Sequence, residues 1–276
     1  MSALTQGLNS QQLAAVKHEG SPLLVVAGAG SGKTRVLTRR IAYLLAERNV
    51  APFEILAITF TNKAAGEMKE RVAQLVGERA KVMWVSTFHS ACVRILRREA
   101  SLLGYTNSFT IYDQSDSLRL ITLVMKDLNL DAKKYAPRAV AALISQAKNE
   151  LLGPADYLNQ SKDHFQEIVA QVFAIYQKRL TGANSMDFDD LIAKTVEVMQ
   201  RHPEVRAKYR SRFKHILVDE YQDTNHAQYV LIKELVGNER DGIAPAELCV
   251  VGDADQSIYA FRGANIRNIL IRTYCA

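Results

Sequence analysis

Residues 23–34 read LLVVAGAGSGKT, and this stretch decides the fold. Four apolar residues lead into a glycine-rich turn that ends in Lys33 and Thr34, and residues 35–46 then take on helical spacing. Glycines let backbone N–H groups turn inward around a phosphate, and the amino-terminus of the following helix favours negative charge. The segment therefore predicts a phosphate loop between a buried strand and a helix, with Ala27 at the first glycine position of the pattern.

The loop pattern predicts a site for a nucleoside triphosphate. Lys33 is expected to reach the β- and γ-phosphates, and the Thr34 hydroxyl is expected to bind magnesium. The alternative is a glycine-rich turn without a ligand, and the combination of strand, GKT and helix argues against it. The residues predicted to line the nucleotide here are Ala27, Gly28, Ala29, Gly30, Ser31, Gly32, Lys33 and Thr34.

A second motif, VDEYQD over residues 218–223, follows the apolar run at residues 215–218. An acid at the end of such a strand lies beside the phosphate loop, so Asp219 is expected to hold magnesium through its inner waters. Glu220 is expected to orient and deprotonate the attacking water as a catalytic residue. Adjacent acids on a strand point to opposite faces, so they can share a site only where the strand ends. A solvated acidic turn is the alternative.

The order of the elements predicts an α/β fold with an insertion. Apolar runs at residues 55–60, 82–86 and 248–251 alternate with helical segments, which indicates a parallel sheet covered on both faces. Amphipathic helices are predicted at residues 115–128, 137–149 and 164–180, with no clear strand between them. The sequence thus predicts an α/β domain over residues 1–90 and 186–276, with an all-helical insertion over residues 91–185. The acidic segment at residues 186–191, MDFDDL, is interpreted first as a helix start.

Composition narrows the class of protein. The net charge of +6 favours contact with nucleic-acid phosphates but does not decide it. There is no run of about 18 apolar residues, so no transmembrane helix is expected. The cysteines Cys92, Cys249 and Cys275 are far apart and form neither a disulfide framework nor a zinc pattern. Without a signal-peptide pattern at the start, a cytoplasmic location is the expectation.

Further motifs carry a resemblance to a known family. Residues 58–65 read ITFTNKAA, residues 87–90 read TFHS, and residues 251–264 read VGDADQSIYAFRGA. Leu8, Asn9 and Gln12 precede them. In this order the motifs resemble the superfamily-one helicases of the UvrD, Rep and PcrA group, and the resemblance covers nearly the whole chain. It implies a RecA-like P-loop NTPase domain, called 1A in the family, with the helical insertion as subdomain 1B.

The resemblance also implies roles for single residues. Gln12 is placed like the glutamine that reads the adenine edge of ATP, Arg35 like the arginine that packs on adenine, and Gln256 like the catalytic residue that senses the γ-phosphate and couples it to DNA. Phe60 could instead be a core residue, and His89 could be an ordinary hydrogen-bonded histidine. The residues placed like DNA contacts are Phe60, Thr61, Asn62, Lys63, Thr87, His89, Tyr259, Phe261 and Arg262.

By resemblance, the parent protein is an ATP-dependent DNA helicase that uses ATP and Mg2+, moves 3′-to-5′ on single-stranded DNA and opens duplexes at single-strand/double-strand junctions in repair or replication. The family's second RecA-like domain, with its arginine fingers, is expected to be absent from this chain. These 276 residues are therefore expected to bind ATP weakly, hydrolyse it slowly and not unwind DNA alone. Two alternatives stay open: the motor part of a recombination helicase–nuclease, and a non-catalytic fragment that binds nucleotide or DNA.

Overall fold

The computed structural model describes residues 4–20, 22–28, 30–238 and 242–253. The chain folds as two compact units. Of the described residues, the sheet unit takes those up to 91, residues 202–224, residues 232–238 and residues 242–253. The helical unit takes residues 92–201 and 225–231. Residues 186–201 thus pack with the helices, whereas the sequence grouped them with the sheet, and the domain boundaries of the parent protein stay a prediction.

Short strands form where apolar runs occur in the sequence. Within the described residues they are β1 Leu23–Val26, β2 Ile55–Thr59, β3 Trp84–Thr87, β4 Thr110–Tyr112, β5 Ser185–Asp187, β6 His215–Val218 and β7 Glu247–Gly252. Five of them form one parallel sheet in the order β1-β7-β6-β2-β3. This confirms the predicted α/β class, and because the strands are parallel, their carboxyl ends meet at one edge.

Helices connect these strands. The α-helices of the described residues are α1 Ser10–Lys17, α2 Lys33–Ala46, α3 Asn62–Val76, α4 Phe88–Glu99, α5 Gln114–Asp127, α6 Pro137–Asn149, α7 Pro154–Asn159, α8 His164–Gly182, α9 Phe188–Arg201, α10 Pro203–Arg212 and α11 His226–Val236. Short 3-10 helices lie at Pro52–Glu54, Gly77–Val82, Ala100–Leu103 and Tyr221–Asp223. None of the described helices is long and apolar enough to cross a membrane.

The core of the sheet unit explains its strand pattern. Every residue of β2 and β6 is buried, as expected for central strands with helices on both faces. Leu37, Ile41 and Leu44 recur at helical spacing on α2 and are almost fully buried in the same core. Burial of each such side chain stabilises the fold by about 1.5–3 kcal/mol. This face of α2 therefore holds the helix, and with it the end of the phosphate loop, against the sheet.

The helical unit has its own core, built from α5, α6 and α8. Val124, Val140, Ile144 and Phe173 are buried in one cluster, and the three predicted helices all occur close to their expected bounds. The unit is not entirely helical, however, because β4 and β5 form a two-stranded parallel sheet within it. Each of these strands has three residues, which is too short to show an alternating pattern in the sequence.

A buried ion cluster joins α6 to the start of α9. Lys148 is 3% exposed, and its Nζ lies 2.6 Å from Asp187 Oδ2 and 3.0 Å from Asp190 Oδ1. The Tyr176 hydroxyl donates to Asp187 Oδ2 at 2.7 Å. Burial raises the pKa of Asp190. Burial also acts to raise the pKa of Asp187, but the charge of Lys148 and the hydrogen bonds that the carboxylate accepts together lower it. Asp187 also accepts the Asp190 N–H at 2.8 Å, so the acidic segment has the structural role expected for it.

Replacing Lys148 with methionine tests this cluster. The variant keeps a long side chain but leaves Asp187 and Asp190 without their buried cation, so the free energy of unfolding should fall by about 3–5 kcal/mol. Chemical denaturation measures the loss. The exposed Lys178 on the same unit provides the control, because Lys178→Met should change stability by about 0.5 kcal/mol or less. Equal stability of the two variants would contradict the role of the cluster.

Candidate nucleotide-binding site

The phosphate loop connects β1 to α2 at the carboxyl edge of the sheet. Gly30 and Gly32 have φ values of 74° and 86°, a region that favours glycine. The Ser31 hydroxyl donates to the Gly28 carbonyl at 2.6 Å and closes the turn. Helix α2 then begins at Lys33, so its free N–H groups lie at the end of the loop. Ala29 lies outside the described residues.

Lys33 lies against the loop and the end of β7. Its Nζ donates to the Ala27 carbonyl at 2.8 Å, to the Gly28 carbonyl at 3.2 Å and to Asp253 Oδ2 at 3.0 Å. The side chains of Lys33 and Asp253 are 9% and 2% exposed, so this ion pair is buried. An ammonium group has three protons to donate, and a phosphate would therefore have to replace some of these partners.

Asp253 lies within the motif at residues 251–264, and no role was predicted for it. The signal available in the sequence was its position: it directly follows an apolar strand, as Asp219 does. Ala27 N donates to the Gly252 carbonyl at 3.1 Å, so the parallel pairing of β1 with β7 continues to the loop. This pairing places Asp253 beside Lys33 although the two are 220 residues apart in the sequence.

Asp219 and Thr34 meet at the same edge. Asp219 follows β6, and its Oδ2 lies 3.4 Å from the Thr34 Oγ1. Asp219 is 5% exposed, and its pKa is raised by burial first and by the negative charge of Glu220 second. The two residues predicted as magnesium ligands are therefore neighbours, and both present oxygen atoms.

Asp219 and Glu220 lie beyond the end of β6, so their side chains need not alternate between the two faces of the sheet. β6 ends at Val218, and Glu220 has φ 50° and ψ 44°, the left-handed region that side-chain-bearing residues rarely adopt. Such a conformation costs about 1–3 kcal/mol and persists where the surroundings impose it. Here the turn is closed by the Asp223 N–H, which donates to the Glu220 carbonyl at 3.0 Å. The expectation that the pair needs a strand end agrees with this geometry.

Gln12 contacts the phosphate loop directly. Its Nε2 donates to the Ser31 carbonyl at 3.1 Å, while its Oε1 accepts the Asn9 N–H at 3.1 Å. Asn9 Oδ1 in turn accepts the Gln12 N–H at 2.8 Å, so the two residues form a capping box at the start of α1. The spacing of Asn9 and Gln12 therefore has a structural reason, and the reading of adenine by Gln12 stays a prediction.

Arginines of α2 bind the backbone of the amino-terminal segment. Arg35 Nη2 donates to the Gly7 carbonyl at 3.0 Å, and Arg39 Nη1 donates to the Leu4 carbonyl at 3.1 Å. Arg40 is 2% exposed and donates to the carbonyls of Ala15, Val16 and His18. The segment that carries Gln12 is thereby attached to the helix that follows the phosphate loop. Stacking of Arg35 on adenine stays a prediction.

The residues predicted to contact DNA follow β2 and β3. Thr61 caps α3 through its hydroxyl, which accepts the Ala64 N–H at 3.1 Å, and Asn62 and Lys63 are exposed beside it. Phe60 is half-buried and packs edge-on against the Phe88 ring, with centroids 5.8 Å apart. The half-buried side chain of Phe60 is compatible with packing in the core and with stacking on a DNA base.

Thr87 and His89 lie at the start of α4. The Thr87 hydroxyl accepts the Ser90 N–H at 3.2 Å, and Thr87 is 8% exposed, so it stabilises the turn between β3 and α4. His89 is half-buried, and burial lowers its pKa. The predicted residues Gln256, Tyr259, Phe261 and Arg262 lie outside the described residues. All DNA contacts stay predictions.

A parallel α/β sheet with a phosphate loop after β1 and a strand-end acid after β6 defines the P-loop nucleotide-binding class. Residues 8–273 match the family described as "UvrD/REP helicase N-terminal domain". The chain belongs to this family, as the motifs predicted.

The chain is similar to several curated relatives. It is 63% identical over 271 residues to the ATP-dependent DNA helicase UvrD1 of Mycobacterium tuberculosis. The matched region makes up 96% of this chain and 35% of that relative. It is 53% identical over 270 residues to the ATP-dependent DNA helicase PcrA of Staphylococcus aureus. This match makes up 98% of this chain and 36% of that relative. The chain thus spans about a third of the length of these relatives.

The ion pair between Lys33 and Asp253 predicts an unusual effect of removing the lysine. Lys33→Ala should abolish nucleotide binding and also lower the free energy of unfolding by about 3 kcal/mol, because a buried carboxylate loses its cation at 3.0 Å. Adding Asp253→Asn should recover much of that stability without recovering binding. Denaturation together with titration of a fluorescent ATP analogue distinguishes the two effects. A Lys33→Ala variant as stable as the unsubstituted chain would contradict this pairing.

Proposed function

We propose that the protein containing this chain is an ATP-dependent DNA helicase, and that these residues form the first nucleotide-binding part of its motor. The observation that carries the proposal is the meeting of the phosphate loop with the acid after β6, where Thr34 Oγ1 lies 3.4 Å from Asp219 Oδ2. Relatives named as ATP-dependent DNA helicases match at 53–63% identity and support it.

ATP binding rests on the loop and on Lys33. The backbone N–H groups of residues 28–34 and the start of α2 would hold the phosphates, since a helix amino-terminus favours negative charge. The Lys33 ammonium would then exchange its bonds to the Ala27 and Gly28 carbonyls for bonds to the β- and γ-phosphates. Gln12 and Arg35 lie on either side of this loop in the sequence. By family resemblance, we propose that both contact the adenine of ATP.

Thr34 and Asp219 fit a magnesium ion. Both offer oxygen atoms, and the buried Asp219 carboxylate, with its raised pKa, gains from a nearby cation. Among the described residues no group of three or more His, Cys, Asp and Glu side chains could hold a metal. The pair of oxygen ligands from Thr34 and Asp219 suits Mg2+, which keeps several waters and takes its other ligands from phosphates. When bound, the ion supplies neutralisation of charge on the phosphate oxygens.

Glu220 is the proposed general base. Its backbone leaves the strand conformation at the carboxyl edge of the sheet, next to Asp219, where the γ-phosphate of a nucleotide on the loop would lie. A carboxylate there can orient the attacking water and accept its proton. Gln256 is proposed, from family resemblance alone, to sense the γ-phosphate.

The proposed DNA path follows the ends of β2 and β3. Asn62 and Lys63 are exposed at the amino-terminus of α3, a favourable place for a DNA phosphate. Phe60 and the distant Tyr259 and Phe261 are proposed to stack on bases, which works for any base sequence. Thr61, Thr87, His89 and Arg262 complete the set. The 3′-to-5′ direction, the preference for junctions, the role in repair or replication and the cytoplasmic location are proposals from the same resemblance.

The test is ATP hydrolysis with and without single-stranded DNA. We expect DNA to stimulate hydrolysis by the full-length protein, and Glu220→Gln to lower it by about 10²–10⁴-fold while nucleotide binding remains. The matched control is Glu70→Gln, because Glu70 is an exposed carboxylate on α3. It should leave hydrolysis unchanged.

The same assay on this chain alone separates two cases. Turnover that DNA stimulates would mean that the first domain already couples strand binding to chemistry. Nucleotide binding without turnover would assign hydrolysis to the longer protein. A full-length protein that binds ATP but shows no hydrolysis dependent on Glu220 would contradict the proposed function.

A further inference from the structure

Gln222 lies in the motif after β6 and has no role in the proposed ATP hydrolysis as described by Lys33, Asp219 and Glu220. It is 3% exposed, whereas glutamine side chains are mostly exposed in folded proteins. A buried amide needs partners for both its oxygen and its nitrogen. The two partners that Gln222 has are therefore informative about its role.

Both partners belong to the nucleotide site. Gln222 Nε2 donates to Glu220 Oε2 at 2.8 Å, and Gln222 Oε1 accepts the Asp253 backbone N–H at 2.9 Å. The Asp253 N–H can only donate, so the amide oxygen must face β7 and the amide nitrogen must face Glu220. The orientation of the amide is fixed by this chemistry.

The end of β7 is shaped to receive this amide. A Cβ added at Gly252 would lie 2.9 Å from Gln222 Oε1, closer than real Cβ atoms come to other atoms. The next neighbours of such a Cβ lie at 3.5 Å and 3.8 Å, so the amide oxygen is the atom that a Cβ at this position would displace. Gly252 does not adopt a positive φ, and alanine would fit its backbone.

Resting on the proposed function, we infer that Gln222 is a positioning residue that holds the Glu220 carboxylate for attack on ATP and ties it to the end of β7. The left-handed backbone of Glu220 places the carboxylate on a turn rather than on the rigid strand. A hydrogen bond to the charged oxygen restricts its rotation and keeps it aimed. Through its oxygen, which accepts the Asp253 N–H, the same amide connects Glu220 to Asp253, whose carboxylate pairs with Lys33.

The test compares kcat with KM in the full-length protein, with single-stranded DNA present. Gln222→Ala and the isosteric Gln222→Glu should lower kcat by roughly 10- to 100-fold, the effect of losing a hydrogen bond to a charged group. KM and the affinity for a fluorescent ATP analogue should stay within about twofold, because neither variant removes a phosphate-binding group. The control is Gln74→Ala, an exposed glutamine on α3.

Two double variants separate positioning from simple structural support. Gly252→Ala should lower kcat alone, by displacing the amide, but should have no further effect in the Gln222→Ala background. Gln222→Ala should likewise cost nothing more in the Glu220→Gln background, where no carboxylate remains to be aimed. A merely structural role of Gln222 would lower stability and nucleotide affinity together with kcat.

The outcomes are distinct. Loss of kcat that is coupled to both Gly252 and Glu220 supports the inference. A Gln222→Ala protein with unchanged kcat, or with losses that simply add to those of Glu220→Gln, overturns the inference alone, provided that the unsubstituted protein hydrolyses ATP. An unsubstituted protein without DNA-stimulated hydrolysis overturns the proposed function and this role of Gln222 with it.

Discussion

The parallel pairing of β1 with β7 and of β7 with β6 is the constraint on which the candidate site depends. These three strands come from distant parts of the chain, yet their carboxyl ends meet at one edge. The edge brings Lys33 within 3.0 Å of Asp253 and Thr34 within 3.4 Å of Asp219. Without this strand order, the loop would be a glycine-rich turn with no acid beside it.

The charges at this edge of the sheet are those of Lys33 and of the carboxylates beside the phosphate loop. Two buried carboxylates, Asp219 and Asp253, lie beside the loop, and only the second has Lys33 within ion-pair distance among the contacts described. A nucleotide phosphate would compete with Asp253 for Lys33. Asp219, whose pKa is raised by burial and by the charge of Glu220, would gain from a cation bound beside it. We therefore propose that phosphate and metal each favour the binding of the other at this site.

Local patterns predicted much of this from the sequence. The loop at residues 27–34 and the acids Asp219 and Glu220 follow from strand, turn and helix signals that span few residues. The partners of Lys33 and Gln222 could not be predicted, because both involve Asp253, and the pairing of strands that places it there is not encoded in local spacing. β4 and β5 were missed because three residues show no period. The left-handed backbone of Glu220 has no signal, since glutamate rarely adopts it.

We propose that Asp219 and Thr34 form a magnesium site for a nucleotide held by the phosphate loop. The most direct measurement is the affinity of a fluorescent ATP analogue with and without Mg2+, for the unsubstituted chain and for Asp219→Asn. We expect Mg2+ to strengthen binding to the unsubstituted chain, and Asp219→Asn to remove this effect while Mg2+-free binding persists. Equal strengthening by Mg2+ in both proteins would show that Asp219 does not hold the ion.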